Sequence, residues 1–263
     1  MIQVSGLSKD YRTVSGGGFL LSDIRFTLQP KAITAILGTN GSGKSTLLKI
    51  IGGELDADSG SVNVDLDNSN RDESADPLRN VLYLDQDAGR DLVLSMTIGE
   101  NLELAQISSR TGTLRFPSRK LLRMQALDAL SKVPLGLDKR LSQQVRSLSG
   151  GERQGLVLAR ALLLSPRVLL LDEFVSALAR HLAVRMMAVV RDLVLQSRTY
   201  CAVVTHDIDL ATRFADQIVF LHNGRLMDCF LVDGPSSRDR IVNLFSTCLK
   251  EESADERQAG IPT

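Results

Sequence analysis

Cysteine is scarce in this chain of 263 residues. Cys201, Cys229 and Cys248 are odd in number and far apart, which excludes a disulfide framework and the close pairs of a cysteine metal site. Such usage suits a reducing compartment, and all three are read as packing residues. Excess charge is lacking too: Lys+Arg and Asp+Glu both total 31, so no overall basic surplus points to nucleic acid or an anionic membrane. Long apolar runs are missing. The longest, such as Val168–Leu171, fall far short of the ~20 residues that cross a bilayer. The amino terminus, MIQVSGLSKDYR, has no apolar stretch behind a charged one, so no secretory signal is expected and the chain reads as cytoplasmic. What remains is 43% hydrophobic and 24% charged, the composition of a globular protein of one or two lobes with a sizeable core.

Within that ordinary composition stands GTNGSGKST, Gly38 to Thr46, a poor way to build a helix or a strand. Its spacing fits G-x-x-x-x-G-K-[ST], a phosphate-binding loop, provided that a strand precedes it and a helix follows. Both flanks are present: AITAILG is a short β-branched apolar run, and STLLKIIGG reads as a helix stopped by Gly52 and Gly53. In such a loop the glycines turn backbone N–H groups toward an anion at the helix's positive end. Lys44 adds a charge and Ser45 a hydroxyl for Mg2+. A Gly-Ser turn without ligand is the competing reading, and the flanks weigh against it.

Two further stretches carry chemistry. RVLLLDEF, Arg167 to Phe174, reads as a buried parallel strand ending in Asp172 and Glu173. Carboxylates at that edge sit where α/β sheets bind ligands: Asp172 to hold Mg2+ through water, Glu173 to polarise an attacking water. Alone, the pair could be a solvent-facing strand end. SLSGGERQGLVLARALLL opens with a capping box, Ser149 and Glu152, but two glycines in its first turn cost helix stability and are useful where a ligand must approach the backbone.

Together, LSGGERQ, the phosphate loop upstream and LLLDE downstream resemble the nucleotide-binding subunit of an ATP-binding cassette (ABC) transporter, over roughly Ile2–Asp228 and in family order. The resemblance implies an α/β fold of the P-loop NTPase, ABC-ATPase type: a mostly parallel sheet with an antiparallel β portion and a helical subdomain. One ATPase domain is expected over 1–235, its core at about 1–88 and 165–235 and its helical subdomain at about 89–164. Beyond it, 236–263 is read as a frayed tail. Locally, Thr97 with Glu100 is a second capping box, Leu122, Leu127 and Leu130 recur at near-helical spacing, Asn223-Gly224 signals a hairpin, and Asp65–Pro77 reads as a polar surface loop.

By the same resemblance the cofactors are ATP and Mg2+. Gly38, Thr39, Asn40, Gly41, Ser42, Gly43, Lys44, Ser45 and Thr46 hold the phosphates, and Tyr11 stacks on adenine. Ser45, Gln86 and Asp172 serve the metal. Glu173 is the general base, with Gln86 and His206 completing the catalytic set and His206 at the γ-phosphate. Ser149, Gly150 and Gly151 complete the site of a second ATPase subunit, so a homodimer is expected. Further implied partners are a separate integral membrane permease and an extracytoplasmic solute-binding protein, with the ATPase peripheral on the inner membrane face and no nucleic acid. A weaker similarity, of DQDAGRDLVLSMTIGENLELA and LSGGERQ, is to ATPases of bacterial tryptophan- or tyrosine-type uptake.

Two departures stand out. Where the family often writes Pro-Thr-Ser-Ala-Leu-Asp after the glutamate, this chain has Phe174, Val175, Ser176, Ala177, Leu178 and Ala179, so an aspartate linking the two ATP sites is missing. Gly155 stands where a longer polar residue is commoner. Rival readings are a soluble ABC ATPase acting on nucleic acid or ribosomes, which lacks its usual zinc cysteines, coiled coils or tandem cassettes here, and a regulatory module of weak turnover, raised by Ala179.

Overall fold

The computed structural model describes residues 1–10, 20–64, 81–90, 92–108 and 118–258. Tyr11 and the stretch Asp65–Pro77 lie outside them. Strands β1 (Ile2–Asp10), β2 (Leu20–Leu28) and β4 (Ser59–Val64) form an antiparallel sheet in the order β2-β1-β4. A second sheet runs β5-β6-β7-β3-β8-β9, built from β3 (Ile33–Gly38), β5 (Val81–Leu84), β6 (Val168–Asp172), β7 (Tyr200–Val204), β8 (Gln217–His222) and β9 (Arg225–Leu231). Every pairing in it is parallel except β8 with β9. That hairpin turns on Asn223 and Gly224, whose φ angles of 47° and 73° both lie in the left-handed region.

Strands β3, β6 and β7 are buried along their whole length, which explains their unbroken apolar runs. Alternate side chains serve two cores. Val168, Leu170, Tyr200 and Ala202 pack with the antiparallel sheet and with α1 (Lys44–Ile51). Leu169, Leu171, Cys201 and Val203 pack with the helices of the other layer. Between β5 and β6 the chain forms α2 (Ile98–Ser108), α3 (Arg119–Lys132) and α4 (Gly150–Leu164), with single 3-10 turns at Leu137–Arg140 and Val145–Ser147. Both capping boxes form: Thr97 N–H donates to Glu100 Oε2 at 2.8 Å, and Ser149 N–H to Glu152 Oε2 at 2.8 Å. On α3, Leu122 and Leu130 are buried as their spacing requires, joined by Ala126 and Ala129, with Leu127 only half-buried.

Two expectations are corrected. Residues 236–258 are not frayed: α7 spans Pro235–Gln258, with proline at its first position, Ile241 and Cys248 buried, and Phe245 edge-on to Phe220 at 4.8 Å between ring centroids, while 259–263 lie outside the described residues. The spacing of Ile241, Phe245 and Cys248 is helical, and the charged residues around it are the exposed side of an amphipathic helix. Cys229 is not a packing residue; it is exposed on β9, where its sulfur accepts from Gln217 Nε2 at 3.1 Å.

Both sequence departures acquire a physical meaning. A Cβ at Gly155 would lie 2.2 Å from Leu135 Cδ1 and 3.1 Å from Val133 Cγ1, so the segment after α3 sits directly on α4 and a longer residue enters only if the Leu135 side chain moves aside. Ala179 is the N-cap of α5 (Arg180–Ser197) and offers no side-chain acceptor to its first turn. Aspartate is among the best N-cap residues and alanine among the poorest. Ala179→Asp is therefore expected to stabilise the chain by about 0.5–2 kcal/mol, read as a raised denaturation midpoint at unchanged slope. An unmoved midpoint would show that the new carboxylate does not cap the helix.

Candidate functional site

The C-terminal ends of β6, β7 and β3 lie side by side, and the candidate site is built where they stop. Strand β3 ends at Gly38, which passes under the end of β8 so closely that a Cβ would stand 1.9 Å from the Leu221 carbonyl oxygen. The loop then turns into α1 through Gly43, the helix N-cap, at φ 93°. No side chain caps α1 and no acidic residue lies in its first turn, so its leading N–H groups and positive end are left for an anion. Lys44 is folded back onto its own loop: Nζ donates to the carbonyls of Thr39 at 2.6 Å and Gly38 at 3.1 Å. Burial pushes its ammonium below the ordinary lysine range, against the opposing pull of Glu173 and Asp172.

Facing this loop is the acidic end of β6. Asp172, nearly buried, accepts from Ser45 Oγ at 3.1 Å on one oxygen and from the Tyr83 hydroxyl at 2.7 Å on the other. One buried carboxylate beside one hydroxyl is a donor set that suits Mg2+, which is commonly held by few protein oxygens together with substrate phosphates. Burial, and then the bond to Asp172, push the Tyr83 hydroxyl well above the ordinary tyrosine range, so it keeps its proton and donates a hydrogen bond. Sequence reading missed Tyr83. Its signal was a polar hydroxyl on a short buried strand, but the partner that gives it meaning sits on the neighbouring strand β6.

Glu173 follows at once and has left the strand, with φ at 48°. That left-handed backbone is unusual for a residue with a side chain, and it is pinned. Its N–H donates to the Val204 carbonyl at 3.1 Å, while its own carbonyl accepts from the Ser176 N–H at 3.0 Å and hydroxyl at 2.8 Å. The side chain is thereby turned toward the end of β7, where His206 Nε2 stands 2.6 Å from Glu173 Oε1. Arg180 steadies the same edge by pairing with Asp207 and Asp209, which flank the start of α6 (Ile208–Phe214).

The structure thus brings together Gly38–Thr46, Asp172, Glu173 and His206. Gln86 lies just past β5, exposed, and the contact it makes is with α4 rather than with a member of that set: its carbonyl accepts from Gln154 Nε2 at 3.4 Å. Ser149, Gly150 and Gly151 open α4 instead, where Ser149 bonds with Glu152 and Arg140 pairs with that glutamate. Arg140 and Ser149 together hold the Glu152 carboxyl below its usual range. Of the two glycines, Gly151 lies against a neighbour, since a Cβ there would come within 2.9 Å of Leu178 Cδ2 and would displace that side-chain tip. Gly150 does not: a Cβ there would meet nothing within 4 Å, and the helix start stands open to an approaching group.

Comparisons with known proteins bear on this geometry. Residues 21–176 match the family model described as ABC transporter. The tyrosine transport ATP-binding protein of Clostridioides difficile (strain R20291) is 31% identical over 231 residues, covering 86% of this chain and 90% of that protein. An Fe(3+) ions import ATP-binding protein, FbpC 2 of Pectobacterium atrosepticum, is 31% identical over 265 residues, 98% of this chain and 72% of that protein. Among solved structures, a dimeric ATP-binding cassette in a post-hydrolysis state bound to ADP and Pi superposes with a TM-score of 0.74 at 27% identity, over 89% of this chain and all of that one.

Proposed function

The chain belongs to the ABC transporter family of ATP-binding ATPases, with the α/β P-loop fold of that family, and from this premise we propose that it is the energy-coupling subunit of a small-solute importer. The observation that carries the reading is the convergence of Lys44, Ser45, Asp172, Glu173 and His206 on one sheet edge. Phosphates of ATP would draw Lys44 away from the Gly38 and Thr39 carbonyls, a move that exchanges two neutral acceptors for charged ones. Ser45, Asp172 and Gln86 would hold Mg2+, which would supply positive charge to offset the phosphates. Glu173 takes the proton of the attacking water, and His206 orients that carboxylate and reaches toward the γ-phosphate.

Ser149 and Gly150, open at the positive end of α4, face the nucleotide of a second copy, so that two chains close on two ATPs. Opening and closing of this pair drives a separate permease, which holds the chain at the inner membrane face; among the described residues no helix is long and apolar enough to cross a membrane. Similarity to the tyrosine-transport protein favours an amino-acid cargo delivered by a solute-binding protein. Affinity capture from detergent-solubilised membranes should recover an integral membrane protein in stoichiometric amount. Ribosomes or DNA in its place would overturn the transporter reading.

Ala179 touches none of the groups just named, so turnover is retained. What its missing carboxylate weakens is communication between the two sites of the dimer. Ala179→Asp should raise the Hill coefficient for ATP at several protein concentrations while nucleotide affinity stays put. Equal coefficients in parent and variant discard that coupling role.

A further inference from the structure

The phosphate loop is braced from a side that the reaction does not use. At the end of β8 the imidazole of His222 is 4% exposed, and its Nδ1 lies 3.0 Å from Thr39 Oγ1. Thr39 organises the whole loop: its carbonyl accepts from Lys44 Nζ at 2.6 Å and from the Ser42 N–H at 3.3 Å. On the far side of the ring, Nε2 meets Asn223 Nδ2 at 3.1 Å and stands 3.6 Å from Glu251 Oε2 of α7. That helix is seated on β8 by Phe245 against Phe220 and by buried Ile241 and Cys248. A continuous set of contacts therefore runs from the C-terminal helix, through one buried imidazole, to the residue that positions the lysine.

We propose that His222 is a positioning residue for the phosphate loop, and that Glu251 makes the seating of α7 part of that loop's geometry. Both neutral tautomers serve the bridge. With Nε2 bare it accepts from Asn223 while Nδ1–H donates to Thr39; with Nε2–H directed at Glu251, the Asn223 amide turns its oxygen toward the ring and Nδ1 accepts from the Thr39 hydroxyl. Either way Thr39 Oγ1 is fixed, and with it the carbonyl beside Lys44. His222 reaches the loop through Thr39, so its influence falls on how readily phosphates are received and not on the chemical step. The second element follows from position: α7 cannot shift along β8 without moving Glu251 relative to the imidazole.

The proposal rests on the phosphate-loop reading, and the experiment separates the two. Steady-state ATPase kinetics of the full chain are compared for parent, His222→Ala, Thr39→Val, the double variant, His222→Asn, Glu251→Gln and Lys44→Ala. His222→Ala and Thr39→Val should each raise KM for ATP roughly three- to tenfold, the scale of one net hydrogen bond, and for His222→Ala kcat should stay within about twofold of parent. The double variant should be no worse than either single one, because both remove the same contact. His222→Asn, which returns an acceptor near the place of Nδ1, should recover part of the loss, and Glu251→Gln should raise KM by a smaller factor. A buried histidine that is merely structural would lower kcat through loss of folded protein at unchanged KM, and that split overturns the proposal. So does a silent Thr39→Val, which removes the hydroxyl without depending on replacement of the buried ring. Unchanged KM in Glu251→Gln removes α7 from the bridge. If Lys44→Ala keeps the parental KM, the loop reading itself is what fails.

Discussion

Lys44→Ala is expected to lower ATP affinity by about 10- to 150-fold, the range that follows from removing a single hydrogen bond to a charged group worth about 1.5–3 kcal/mol. The argument starts in the resting loop. Lys44 is almost wholly buried and spends its donors on the Thr39 and Gly38 carbonyls. Its charge is held there at a desolvation cost that shows in the direction of its titration, downward from the ordinary lysine range. A buried ammonium whose hydrogen-bond partners are neutral, two carbonyls and the Ser42 hydroxyl, is poised to gain from anionic oxygens in a way that an exposed lysine is not. Alanine removes that gain, while the fold loses a group whose burial was already costly, so stability should change far less than binding. Nucleotide titration by calorimetry or fluorescence checks this beside a denaturation curve. Affinity within a few-fold of parent, with the fold intact, would refute the assignment of Gly38–Thr46 to phosphate.

The parts of this site that could be read from the sequence are those whose signal is local. The phosphate loop, both capping boxes and the Asn223-Gly224 turn each declare themselves within a few residues, because backbone chemistry of that length sets them. The acidic pair at Asp172 and Glu173 was legible as a strand end with charge. Its geometry was not, since the left-handed backbone of Glu173 is imposed by Val204 and Ser176. Contacts between elements distant in the chain left no local trace. Tyr83 gains its role from Asp172 on the adjoining strand, His222 from Thr39, and Gly155 from Leu135 packed across it. The tail was misread for another reason. KEESADERQ is charged enough to suggest a solvated end, yet the apolar stripe that seats α7 lies mostly upstream at Ile241, Phe245 and Cys248.

Glu173→Gln is expected to cut ATP turnover by a factor on the order of 10^2 to 10^4, the usual contribution of a positioned general base, while ATP binding persists. The substitution is chosen because the site allows it to isolate one property. Glutamine has the same length and takes the same left-handed backbone at the same cost, and the bonds to Val204 and Ser176 that fix this residue belong to the main chain. His206 Nε2, 2.6 Å from Glu173 Oε1, can still exchange a hydrogen bond with an amide. What disappears is the negative charge and the ability to accept a proton from water. Phosphates, Lys44, Ser45 and Asp172 are untouched, so nucleotide should enter and the two-chain assembly should close without reopening. Single-turnover hydrolysis, nucleotide affinity and light-scattering mass with excess ATP are the three readings. Slow hydrolysis with parental affinity and a stable ATP-bound dimer is the expected set. Parental turnover would place the base elsewhere and leave Glu173 as the partner that orients His206. Turnover lost together with binding would instead mean that the carboxylate serves the nucleotide's ground state, since an interaction made only as the water attacks lowers kcat and leaves affinity alone.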